Sequence, residues 1–175
     1  MADEAQAVQV PASQIERAVR LSYAQAMLGS IYGASVGGMF LIGYALKLGA
    51  NDVQIGLMST VPMLLVWVQL IAAALVEQGI SRRLLTVIGA LGNVLGWVLV
   101  ILIPYVMQEA PVPLKIAALI AIITTVTLFA YVQGNARGSW VGDLIPASFR
   151  GTFFGKLTMY AGIIGTAFAL IEGRF

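Results

Sequence analysis

The chain has 175 residues, 59% of them hydrophobic and only 10% charged, and its mean hydropathy is +0.91. An ordinary soluble domain carries roughly 25% charge, and a small domain buries only part of its surface, so the apolar excess must face lipid. This composition excludes a soluble enzyme, a nucleic-acid reader and a disordered tail, and leaves an integral membrane protein.

There is no His and no Cys. Imidazole or thiolate metal sites, haem ligation by His, disulfides and Cys or His catalysis are therefore excluded. No nucleophile–base pair and no paired acids stand out, so an enzyme is not expected. Nothing in the sequence calls for a metal or a cofactor. The net charge of +2 is read as topogenic, because the basic residues flank the apolar runs. It does not imply a nucleic-acid partner.

Residues 1–20 form a polar, partly acidic tail. Ser13 and Glu16 have the Ser-x-x-Glu spacing of a capping box, so the first helix is predicted to start near Ser13. The first charge-free run, 21–46, is too long for the h-region of a signal peptide, about 7–15 residues. It carries Gly29, Gly33 and Gly37 at intervals of four. Such a stripe lets another helix backbone approach closely in lipid. Gln25, Tyr32 and Tyr44 are its polar members, and Gln25 is a candidate for lining a cavity. Gly49 should end the helix, and Asn51 or Asp52 should cap the next.

The second run is 53–76, with Trp67 and Gln69 inside it, and Gly79 as its C-terminal stop. The third, 84–108, repeats the small-residue device at Gly89, Gly92 and Gly96, with Asn93 as a second cavity-lining candidate. Pro111 and Pro113 are expected to hold the following loop extended. The fourth, 116–136, contains Thr124, Thr125 and Thr127, read as bonding back onto their own helix, and Gln133 and Asn135 near its end. The fifth is charge-free over 157–171 and extends back to 152 if Lys156 snorkels to the interface.

About 20 apolar residues at 1.5 Å each cross a bilayer. The runs are continuously apolar rather than alternating, which favours helices over a β-barrel. The expectation is an all-α membrane protein: a tail at 1–20 and a single five-helix transmembrane domain over 21–175. Arg17, Arg20, Arg82, Arg83, Arg137, Arg150 and Lys156 fall on one side, against Lys47, Lys115 and Arg174 on the other. The positive-inside rule then puts the N-terminus in the cytoplasm and the C-terminus across a cell (inner) membrane. No Asp, Glu, Lys or Arg lies centrally in any span, so the chain offers no proton carrier of its own. Trp67, Trp97, Tyr105 and Trp140 are read chiefly as interface anchors, with lipid or pigment contact as the other use of such rings.

Three stretches carry a family resemblance. The stretch Ala74-Leu75-Val76-Glu77-Gln78-Gly79-Ile80-Ser81-Arg82-Arg83 resembles the major facilitator superfamily pattern Gly-x-Leu-Ala-Asp-Arg-x-Gly-Arg-Arg/Lys. Glu77 stands where the family has Asp, Gly79 is slightly displaced, and Arg82 and Arg83 match the basic pair. The stretch from Gly142 and Asp143 through Pro146 to Arg150 and Gly151 is similar to the family's loop between helices four and five. Leu48 to Gly56 is similar to its first external turn. The resemblance implies an incomplete N-terminal half of a facilitator transporter. It also implies a gating ion-pair cluster of Glu77, Gly79, Arg82, Arg83, Asp143, Arg150 and Gly151 at the inner face. Carboxylate–guanidinium pairs there would be directional.

The superfamily places its substrate between two six-helix halves, each of three-plus-three inverted repeats. A five-span chain stands one helix short of such a half and is not transport-competent alone. Two readings of different class follow. One is a segment of a small-solute carrier whose second half is supplied elsewhere. The other is a non-transporting accessory subunit of a larger membrane assembly, respiratory or photosynthetic, packed by its glycine faces against other membrane subunits.

Overall fold

A computed structural model describes residues 12–145 and 147–172, and leaves out the side chains of 12–15, 139, 140, 142–144, 147 and 172. The tail before residue 12, the side chains of Ser13, Trp140 and Asp143, and Arg174 lie outside the described residues. The described chain is all-helical. In order it runs α1 (Ala12–Val36), α2 (Gly38–Lys47), α3 (Asp52–Met63), α4 (Val68–Glu77), α5 (Arg82–Val106), α6 (Val112–Leu144) and α7 (Ala147–Glu172). Five stretches are long and apolar enough to cross a membrane: Glu16–Lys47, Asp52–Glu77, Arg82–Val106, Val112–Gly138 and Ser148–Ile171. Span one comprises α1 and α2, and span two comprises α3 and α4.

The chain divides into two compact units, Met1–Gly37 with Val141–Phe175, and Gly38–Trp140. In the first, α1 packs against α7. Tyr23 meets Phe153 with ring centroids 5.4 Å apart and Tyr160 edge-on at 5.5 Å. Phe153 is fully buried. A Cβ on Gly165 would lie 3.2 Å from Ser30 Cβ, so α7 approaches α1 closely there.

The second unit centres on buried Ala45, Met58, Val100, Ile103, Ile116, Leu119 and Ile123. Two of its turns have one design. Gly49 (φ +94°) and Gly79 (φ +91°) take the left-handed conformation that favours glycine. Ala50 N–H then reaches back to Ala45 O and Gly49 N–H to Leu46 O; Ile80 N–H reaches Leu75 O and Gly79 N–H reaches Val76 O. Both are Schellman ends, which satisfy the last carbonyls of a helix. Asn51 caps α3 in a reciprocal box with Gln54, and the Ser81 hydroxyl accepts from Leu84 N–H to cap α5.

Three element bounds differ from the sequence reading. Spans one and two are interrupted rather than continuous. Pro113 sits in the first turn of α6 and not in an extended loop; the missing N–H is harmless there because first-turn donors have no helical acceptor. Helix α6 runs on to Leu144, well beyond the apolar run, because nothing from Gln133 to Leu144 breaks the backbone pattern.

Candidate functional site

The interruptions are the most distinctive backbone features in the spans. Span one breaks at Gly37, where Gly37 N–H still bonds Gly33 O at 3.1 Å and Gly38 turns to φ +54°. Span two breaks after Pro62. Leu65 N–H donates to Pro62 O, Val66 to Met63 O, Val68 to Leu65 O, Gln69 to Val66 O and Leu70 to Trp67 O. These are three-residue bonds of the tighter 3₁₀ kind. Leu65 and Val68 thereby do not donate to Val61 and Leu64, the carbonyls four residues back that an α-helix would pair. The helices leading away from the shared turn at 48–51 have 10 and 12 residues. At 1.5 Å per residue both breaks lie about 15–18 Å along the helix from that turn, near the middle of a hydrocarbon layer about 30 Å thick.

Helix α6 braces the second break. Asn135 Nδ2 donates to Gln69 O at 2.7 Å, and the Tyr131 hydroxyl points at Pro62 O at 3.5 Å. The two residues are one helical turn apart, so one face of a continuous helix spans the whole irregular stretch. Met63, Leu64, Val66 and Trp67 within the stretch are each more than half exposed.

A second proline is treated differently. Pro104 lies inside α5 and has no N–H for the carbonyl four residues back, Val100 O. The Tyr44 hydroxyl donates to that oxygen at 2.7 Å. Neither Tyr131 nor the Tyr44–Val100 pair is evident from the sequence alone. The available signal is that a proline inside a helix has no N–H for the carbonyl four residues back; it points to a donor at Val100 O but not to Tyr131, which meets the carbonyl of Pro62 itself.

Glu77 ends α4, Gly79 makes the Schellman turn, and Arg82 and Arg83 are the first two residues of α5. All four belong to the Gly38–Trp140 unit; Asp143, Arg150 and Gly151 belong to the other. Arg150 Nε donates to Ile145 O at 3.0 Å, closing the turn between α6 and α7. Gln25 is exposed on α1 and Asn93 half-buried on α5. Thr124, Thr125 and Thr127 each donate to the carbonyl four residues earlier.

The two glycine runs behave differently. A Cβ on Gly89 would lie 2.8 Å from Gln133 Cβ, one on Gly92 2.5 Å from the Phe129 ring, and one on Gly96 would run into Val126. Helix α6 thus lies directly on this face of α5. A Cβ on Gly29 or Gly33 would meet nothing within 4 Å.

Among the described residues, no group of His, Cys, Asp or Glu could hold a metal ion. Compared with family profiles, curated proteins and solved structures, the chain matches none of them.

Proposed function

We propose that the chain is a segment of a facilitator-type carrier of small solutes, in which the interrupted stretch of span two faces a water-filled path. The observation that carries this reading is the 3₁₀ stretch that interrupts span two. A break at that depth is accommodated by local 3₁₀ bonds and a neighbouring helix, as Asn135 supplies here, or by lining an aqueous cavity; the reading takes the remaining face of the stretch to line such a cavity. Discontinuous helices near the midplane also form the cargo sites of many secondary transporters.

The facilitator-like loops support the same reading. Arg82 and Arg83 occupy the first turn of α5, where the helix dipole disfavours cations. Their presence there fits a topogenic role, with the 78–81 loop and the N-terminus on the cytoplasmic side of an inner membrane. Glu77, just before that loop, is the carboxylate that would pair with them in a gating cluster.

The test is uptake. Cells lacking the coding region for this chain are compared with complemented cells for uptake of radiolabelled sugars, amino acids, organic acids and lipophilic cations. The reading predicts that uptake of at least one class falls to background and is restored by the chain. Unchanged uptake throughout, with the chain migrating in a larger assembly on a native gel, would replace it with the accessory-subunit reading.

A further inference from the structure

Helices α5 and α6 diverge beside their glycine contact and leave a groove of about 320 Å³. Its walls include Gly92, Gly96, Leu99, Ala121, Thr125 and Phe129. The volume is at the lower end of ligand-sized cavities, about 300–1,000 Å³. The groove offers almost nothing polar, because the Thr125 hydroxyl is spent on Ala121 O at 2.9 Å. Leu95 and Leu99, which line the groove, and Leu91 beside them are all more than half exposed. An apolar surface of that kind within a span has hydrocarbon as its solvent.

A cation, Lys115, lies beyond one end of this groove, about two turns of α6 from its nearest wall residue, Ala121. Lys115, Ile122 and Phe129 recur every seven residues along α6, so they share one helix face. Ile122 and Phe129 both line the groove. Lys115 is half-buried in the first turns of α6, and its ammonium donates to Gln108 O at 2.8 Å. An ammonium has three donors, and Gln108 takes one. Seven residues at 1.5 Å put Lys115 about 10 Å from Ile122 along the axis. This places a positive charge at the level of the headgroups and an apolar slot below it in the acyl region.

We propose that the groove between α5 and α6 binds one phospholipid with an acidic headgroup, its phosphate held by Lys115 and an acyl chain lying along Gly92, Gly96 and Phe129. The charge at one end and its absence from the walls select this occupant over a neutral lipid or a second protein helix.

The experiment is native mass spectrometry of the delipidated full chain titrated with phosphatidylglycerol or phosphatidylcholine of identical acyl chains. The expected result is a one-lipid adduct favouring phosphatidylglycerol by about fivefold, the worth of one basic residue at an anionic surface. Lys115→Gln should abolish the preference and Lys115→Arg retain it. Ala121→Trp, at an exposed wall position, should weaken the adduct for both lipids. Glycerol phosphate without acyl chains should not compete. Equal binding of the two lipids, a preference that survives Lys115→Gln, an adduct indifferent to Ala121→Trp, or competition by glycerol phosphate would each overturn the proposal.

Discussion

The Tyr44 hydroxyl donates at 2.7 Å to the Val100 carbonyl, the oxygen that Pro104 deprives of its helical donor. A side chain of α2 thus supplies what the α5 backbone lacks, in a region where water cannot substitute. The surrounding core of Ala45, Met58, Ile103 and Ile116 keeps the pair dry.

This pairing predicts a specific non-additivity. Tyr44→Phe should destabilise the folded chain by about 0.5–2 kcal/mol, the range for hydrogen bonds between membrane helices. Pro104→Ala restores an N–H four residues after Val100. In that background Tyr44→Phe should cost close to nothing. Equilibrium unfolding of the four proteins in mixed micelles measures the coupling; equal losses in both backgrounds would show that the hydroxyl does not serve the stranded carbonyl.

The glycines of α5 and α1 should respond in opposite ways. Gly92→Ala and Gly96→Ala place a Cβ against Phe129 and Val126. Overpacking of that kind costs about 1–3 kcal/mol. Gly33→Ala meets open space and should cause no loss, since alanine is the better helix former by about 1 kcal/mol. The same unfolding assay decides; a neutral Gly96→Ala would mean α6 does not lie on this face.

Asn135 should control the broken part of span two. Asn135→Ala removes the donor at Gln69 O, the link between α6 and the lower end of the 3₁₀ stretch. Amide hydrogen exchange at Leu65 to Leu70 should accelerate in the variant while amides of α5 around Val100 keep their rates. Acceleration everywhere, or nowhere, would remove Asn135 from this role.

What the sequence disclosed divides by range. The five spans are written in charge-free runs whose length matches a bilayer, so local composition suffices. Gly49, Gly79 and Asn51 also act locally, and their effect on helix ends follows from φ and short-range bonds. The interruptions do not show in composition. Pro62 sits in an unbroken charge-free run, and Gly37 reads as one more member of a packing stripe. Tyr131 and Asn135 acquire their role only when α6 is laid beside α3 and α4. The groove likewise exists only because Gly92 and Gly96 lie against α6 while the neighbouring leucines do not. Glu77, Arg82 and Arg83 are locally placed by the Schellman turn and the Ser81 cap. The other members of the proposed cluster, Asp143 and Arg150, are distant in sequence, and composition alone cannot pair them with these.

If the interrupted stretch of span two faces water, its side chains are open to water-soluble reagents. The chain has no cysteine, so single-cysteine variants report without background. Leu64→Cys and Trp67→Cys lie in the stretch, Val94→Cys is an exposed mid-span position on α5, and Gln78→Cys lies in a loop. With the chain in its native membrane, a water-soluble maleimide should modify Leu64→Cys and Trp67→Cys at rates close to Gln78→Cys and far above Val94→Cys. Rates at 64 and 67 as slow as at 94 would contradict the account and place the stretch against lipid or a protein neighbour.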